Sequence, residues 1–137
     1  MPGEENLNRL LKSMKPTLNP GEYVFCTHRD LTVPGLTDAI LFFREQEGVT
    51  LVLPKEKADT SVDQYPSLFS WITLAVHSSL EAVGLTAACS HALGAAGISC
   101  NIVAAYFHDH IFVTTNQAEQ AMEVLKRLSN SSMNDPE

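Results

Sequence analysis

The sequence predicts an α+β protein: an antiparallel sheet with helices on one face. Three observations carry that prediction. Short β-branched and aromatic runs alternate with helical stripes in a repeating order. Residues 71–115 hold one Glu, one Asp and no Lys or Arg, so most of that stretch is expected to lie out of water. Residues 85–96 and 116–128 place small and aliphatic side chains at helical spacing.

The elements follow in order. Asn6 caps a first helix whose apolar stripe is Leu7, Leu10, Leu11 and Met14, with Arg9, Lys12 and Lys15 on the wet side. Pro16 ends that helix, and Asn19-Pro20-Gly21 is a turn. Residues 22–27 (EYVFCT) form a strand, and 28–37, with Pro34-Gly35, a loop. Residues 39–43 and 49–53 are strands joined by a hairpin at 44–48 with glycine near its end. Pro54 suits the first turn of a short helix at 55–59. The polar segment 60–70 joins two halves. Residues 71–76 then read as a buried strand, and 77–84 as a polar loop ending in glycine.

A helix over 85–96 carries Leu85, Ala88, Cys89, Ala92 and Ala96, and Gly97 stops it. Strands are expected at 98–107 and 111–115, with His108-Asp109-His110 as the turn between them. The last helix starts at Asn116, with Glu119 placed as in a capping box, and buries Ala118, Ala121, Met122, Leu125 and Leu128. Each half opens with one strand and ends strand, hairpin, strand, helix. This β-α-β-β-α order suggests two ferredoxin-like halves, the first degenerate because a Pro-Gly loop replaces its first helix. The division expected is 1–66, 67–129 and a disordered tail at 130–137.

Composition narrows the function. A net charge of −7 over 137 residues argues against a nucleic-acid surface. Cys26, Cys89 and Cys100 sit in apolar runs without CxxC spacing, as buried thiols of a reducing cytoplasm do. No basic-then-apolar leader opens the chain, and polar residues interrupt every apolar run before membrane-spanning length, so no membrane association is expected.

The loop at 77–84 is the chemical candidate. It joins a buried strand to a helix N-terminus, whose unpaired N–H groups attract a carboxylate or phosphate. His77, Ser78, Ser79, Glu81, Val83, Gly84 and Leu85 would form the site. Gly84 lets a ligand approach the backbone, the two serines add hydroxyls, and Glu81 could hold an ammonium. Together they suit a zwitterion such as an amino acid. Ser and Gly could equally make only a capped turn. Asn101, on the following strand, either contacts the ligand or pairs with a neighbouring loop. His108 and His110 have metal-ligand chemistry, but a turn would misalign them and a third ligand is not evident. Ser79 and Cys89 lack a base–acid pair, so nucleophilic catalysis has little support.

The run TLAVHSSLEAVGLTAACSHALGAAGISCNIVAAYFHDHIFV resembles an ACT domain. Together with YVFCT and FREQEGVTLVL, it is similar to small stand-alone ACT proteins, over roughly residues 7–129. That resemblance implies a β-α-β-β-α-β plan, with amino acids bound near the strand–helix loop at a module interface. It also implies binding without chemistry or cofactor. The sequence departs from the plan: no fourth strand follows the last helix, so another segment, with 22–27 the candidate, must complete the sheet. The leading reading is a non-catalytic amino-acid-binding regulatory protein, a homo-oligomer and most simply a dimer. The alternatives are an oligomerisation module without ligand and a metal-dependent enzyme using the histidines.

Overall fold

The computed structural model describes residues 6–61, 65–76 and 84–133. The chain order is α1 (Leu7–Ser13), β1 (Pro16–Leu18), β2 (Tyr23–His28), β3 (Leu41–Arg44), β4 (Val49–Pro54), α2 (Lys55–Ser61), β5 (Phe69–Leu74), α3 (Leu85–Ala95), β6 (Asn101–Ala104), β7 (Asp109–Thr114) and α4 (Ala118–Met133). Two compact units result: an inserted one, Pro20–Ser70, and a discontinuous one made of Met1–Asn19 with Trp71–Glu137. Both are antiparallel α+β structures. Among the described residues no helix is long and apolar enough to cross a membrane.

In the inserted unit β4 lies between β2 and β3, antiparallel to both. Val49, Leu51 and Leu53 alternate along β4 and pack with Val24, Cys26, Val33 and Ala58. The β3–β4 hairpin closes through reciprocal backbone bonds between Glu45 and Gly48, 2.8 and 3.3 Å. A Cβ at Gly48 would stand 2.7 Å from the His28 carbonyl oxygen, so only glycine lets the turn approach β2 this closely.

In the discontinuous unit the strand order is β1-β5-β7-β6. One face of this sheet presents Ile72, Leu74, Ile111 and Val113 to Leu10 and Leu11 of α1, Leu85, Cys89 and Leu93 of α3, and Ala121 and Leu125 of α4. The helical stripes read from the sequence are therefore the faces that bury. The opposite face carries Trp71, Thr73, His110 and Phe112, as the period of two requires.

Several local expectations change. The strand beside β5 in this unit is β1, paired Pro16↔Leu74 to Leu18↔Ile72, while residues 22–27 belong to the inserted unit and meet β5 there through the pair Tyr23↔Phe69. Lys15, at φ 39, turns the chain sharply out of α1. The Asn19 amide then donates to the Trp71 carbonyl (3.1 Å) and to the Thr73 hydroxyl (2.8 Å), which holds β1 in register. The strand expected at 98–107 shortens to β6. The hairpin turn is Ala105–His108, closed by the Ala105 N–H on the His108 carbonyl (3.0 Å), rather than His108-Asp109-His110. Asp109 and His110 are strand residues, because pairing Ile102 with Ile111 on the core face puts Asp109 opposite Ala104.

Thr115–Gln117 forms one 3-10 turn, so α4 starts at Ala118 rather than Asn116. It then runs to Met133, into the segment read as a disordered tail. The buried Ser129 hydroxyl, donating to the Lys12 carbonyl at 3.5 Å, ties this last part of α4 to α1.

Candidate functional site

β5 delivers the buried Val76 to the sheet end from which the chain continues toward α3. His77, Ser78, Ser79, Glu81 and Val83 lie outside the described residues. Gly84 and Leu85 stand where the sequence expects them. Gly84 is the N-cap of α3 at φ 110, and no side chain caps the helix there. The first helical bond runs from the Ala88 N–H to the Gly84 carbonyl (2.8 Å). The N–H groups of the first turn thus have no side-chain cap, and that turn contains no acidic residue to offset the helix dipole. Leu85 is buried in the core, fixing how the helix leaves the cap. Asn101 is exposed at the start of β6. Its register partner is Phe112, so it lies on the sheet face away from α3.

The other end of this constellation comes from β7. His108 Nδ1 is 3.3 Å from the Val76 carbonyl, and so donates to it. That bond ties the β6–β7 turn to the end of β5. The next residue, Asp109, is 3% exposed, and burial pushes its carboxyl above the usual range. Its charge also acts on Cys89 of α3. Burial first, then Asp109 and Cys100, push the Cys89 thiol up to about 12. Cys89 is therefore a thiol at any physiological pH. With a disulfide-exchange reagent at neutral pH it should react only as fast as the unit unfolds, which labelling with and without urea will show. Fast labelling of Cys89 in native protein would contradict its burial.

On the opposite face the Trp71 indole N–H donates to His110 Nδ1 at 3.0 Å, and the Thr73 hydroxyl lies 3.3 Å from the same nitrogen. This fixes the neutral His110 with its proton on Nε2. Burial and the neighbouring His108 hold its pKa below the usual 6.5. A protonated ring would present an N–H to the Trp71 N–H. The stability this group contributes is therefore complete above pH 6.5 and is lost as the pH falls through the lower folded value. Trp71 is the sole tryptophan. Its fluorescence should change with a midpoint below 6.5, and His110→Gln should abolish that change. A midpoint above 6.5 would contradict the arrangement.

Among the described residues no group of three or more His, Cys, Asp or Glu is placed to share a metal ion. Sequence reasoning missed two features. The Trp71–His110 bond joins residues 39 apart, with no local signal. Asp109 did have one: it is in phase with Ile111 and Val113, which marks a core position.

Two antiparallel α+β units, one presenting an uncapped helix N-terminus after its first long strand, define a tandem protein of ferredoxin-like modules. Two family models described as ACT domain match the sequence, over residues 2–70 and 68–127. The chain belongs to the ACT domain family. It is similar to a Vibrio cholerae protein of unknown function, described as a possible transport protein, at 48% identity over 90% of this chain and 95% of that one, with a TM-score of 0.78. An Agrobacterium tumefaciens protein shares the fold at 15% identity, over 83% of this chain and 87% of that one, with a TM-score of 0.67. The ligand-free regulatory subunit of aspartate kinase from Thermus thermophilus does so at 10% identity, over 85% and 98%, with a TM-score of 0.64. A comparison with curated proteins finds no match.

Proposed function

We propose that this chain is a non-catalytic regulatory protein that binds a small zwitterion, an amino acid, at the connection from β5 to α3. The observation that supports it best is the N-terminus of α3. Gly84 supplies no side-chain cap to the first-turn N–H groups and the turn itself contains no acidic residue, the arrangement that receives a ligand carboxylate. Val83, Gly84 and Leu85 would present the backbone, His77, Ser78 and Ser79 the polar wall, and Glu81 the group for the ammonium, whereas Asn101, on the sheet face away from α3, is not placed to contribute. The fold shared with an aspartate kinase regulatory subunit favours a role in controlling a separate enzyme or transporter. Free thiols at Cys26, Cys89 and Cys100 suit a cytoplasmic setting.

The test is a thermal-shift screen of the standard amino acids, followed by calorimetric titration of any that raise Tm. A ligand at a hundredfold excess over its Kd should stabilise the protein by about 2.7 kcal/mol. No shift with any amino acid would defeat this reading.

The active form is a homodimer in this proposal. Among the described residues β6 has β7 as its only partner in the sheet, and beside it Tyr106 and Phe107 are 67% and 62% exposed. Light scattering should give twice the chain mass at roughly ten micromolar, where weak dimers form. A dimer with no ligand-induced shift would favour a purely structural module.

A further inference from the structure

The two hairpins provide a comparison internal to the chain. β3 and β4 pair as Leu41↔Val52, Phe42↔Leu51, Phe43↔Thr50 and Arg44↔Val49. β6 and β7 pair as Asn101↔Phe112, Ile102↔Ile111, Val103↔His110 and Ala104↔Asp109. The second strand of each hairpin has the same burial along its six residues: buried, half-buried, three buried, half-buried. The first place is Val49 in one and Asp109 in the other, 5% and 3% exposed. The fold's requirement at this place is met by an apolar side chain, yet the unit that contains α3 keeps a carboxyl group there.

A buried carboxylate needs a compensating cation or hydrogen-bond donors. Among the described residues no hydrogen bond or ion pair reaches the Asp109 side chain. In the same set, every buried side-chain nitrogen or oxygen that is shut off from solvent has a hydrogen-bond partner. The Asp109 oxygens, having none there, therefore keep a sliver of open surface. Asp109 also stands at the right end of the sheet. Its neighbour His108 is bonded to the carbonyl of Val76, from which the chain runs on to Gly84, and Asp109 acts electrostatically on Cys89 in the second turn of α3.

We infer that Asp109 is the cation-recognising group of the ligand site, taking the ammonium of a ligand whose carboxylate lies on the N-terminus of α3. This rests on the function proposed above and moves the ammonium from Glu81 to a residue on β7. A site with an uncapped helix N-terminus and a carboxylate at the same end of the sheet selects molecules carrying both charges. A 2-hydroxy acid, lacking the cation, would leave Asp109 uncompensated.

The experiment compares wild type with Asp109→Asn, which keeps shape, and Asp109→Val, which installs the residue found at the matching place in the other hairpin. The probes are the standard amino acids, the 2-hydroxy acids matching any that bind, and the amines ethanolamine and agmatine. Without ligand, both variants should melt at or above the wild-type temperature. With the amino acid that stabilises wild type, both should bind at least tenfold more weakly, and wild type should ignore the hydroxy acid. Retained binding in both variants, tight hydroxy-acid binding, or ligand-free destabilisation of both variants would each overturn the assignment. Retained binding alone leaves the amino-acid reading standing. If no amino acid binds wild type, that reading fails; stabilisation by an amine that depends on Asp109 would still uphold the carboxylate's role, and absence of any amine effect would end it.

Discussion

Leu10→Ala should destabilise the discontinuous unit by about 2–5 kcal/mol, the range for removing a leucine from a packed core. Leu10 is 0% exposed and shares one core with Ile72 and Leu74 of β5, Ile111 of β7 and Leu125 of α4. It comes from a seven-residue helix too short to hold its own conformation in water, so its order derives from that packing. Urea unfolding followed by Trp71 fluorescence reads this unit, because Trp71 belongs to it. A loss below about 1 kcal/mol would mean that the cavity collapses, or that α1 is not an integral part of the core.

Gly84→Val should both destabilise the fold and remove ligand binding. A φ of 110 is a conformation that side-chain-bearing residues rarely adopt, and left-handed backbone costs an ordinary L-residue about 1–2 kcal/mol. A Cβ there would also lie 3.1 Å from Cδ2 of Leu7, a flexible side-chain end that can yield by a few tenths of an ångström. The branched methyls of valine ask for more, so the total should be about 2–4 kcal/mol. Gly84→Ala carries the backbone strain with little of the crowding and serves as the folded control. If Gly84→Val binds ligand like wild type while folded, the site is not on the α3 N-terminus.

Glu81→Gln separates the two ammonium assignments. If Glu81 holds the ammonium, binding weakens by about tenfold to a hundredfold, as losing a charged hydrogen bond requires. If Asp109 holds it, that substitution leaves Kd nearly unchanged while Asp109→Asn does not.

Periodicity and the turn residues of the sequence alone determined the α+β class, the three helical stripes that bury, the start of α3 after Gly84 and the place where Gly97 ends it. These are local properties: a face that must leave water imposes its period on nearby residues, and glycine marks backbone that other residues strain to adopt. Only the tertiary structure decided what depends on partners distant in the chain. A three-residue strand opening on proline has no readable period, so β1 became visible only through its pairing with β5 and the reach of Asn19 across to Trp71 and Thr73. The hairpin turn moved to Tyr106-Phe107 because cross-strand register, set by burying Ile102 with Ile111, outranks the turn preference of an aspartate. That same register carried Asp109 into the core. Its letter reads as polar turn, while its phase reads as buried strand, and burial of Ile111 and Val113 on the same face of β7 settled the conflict in favour of phase.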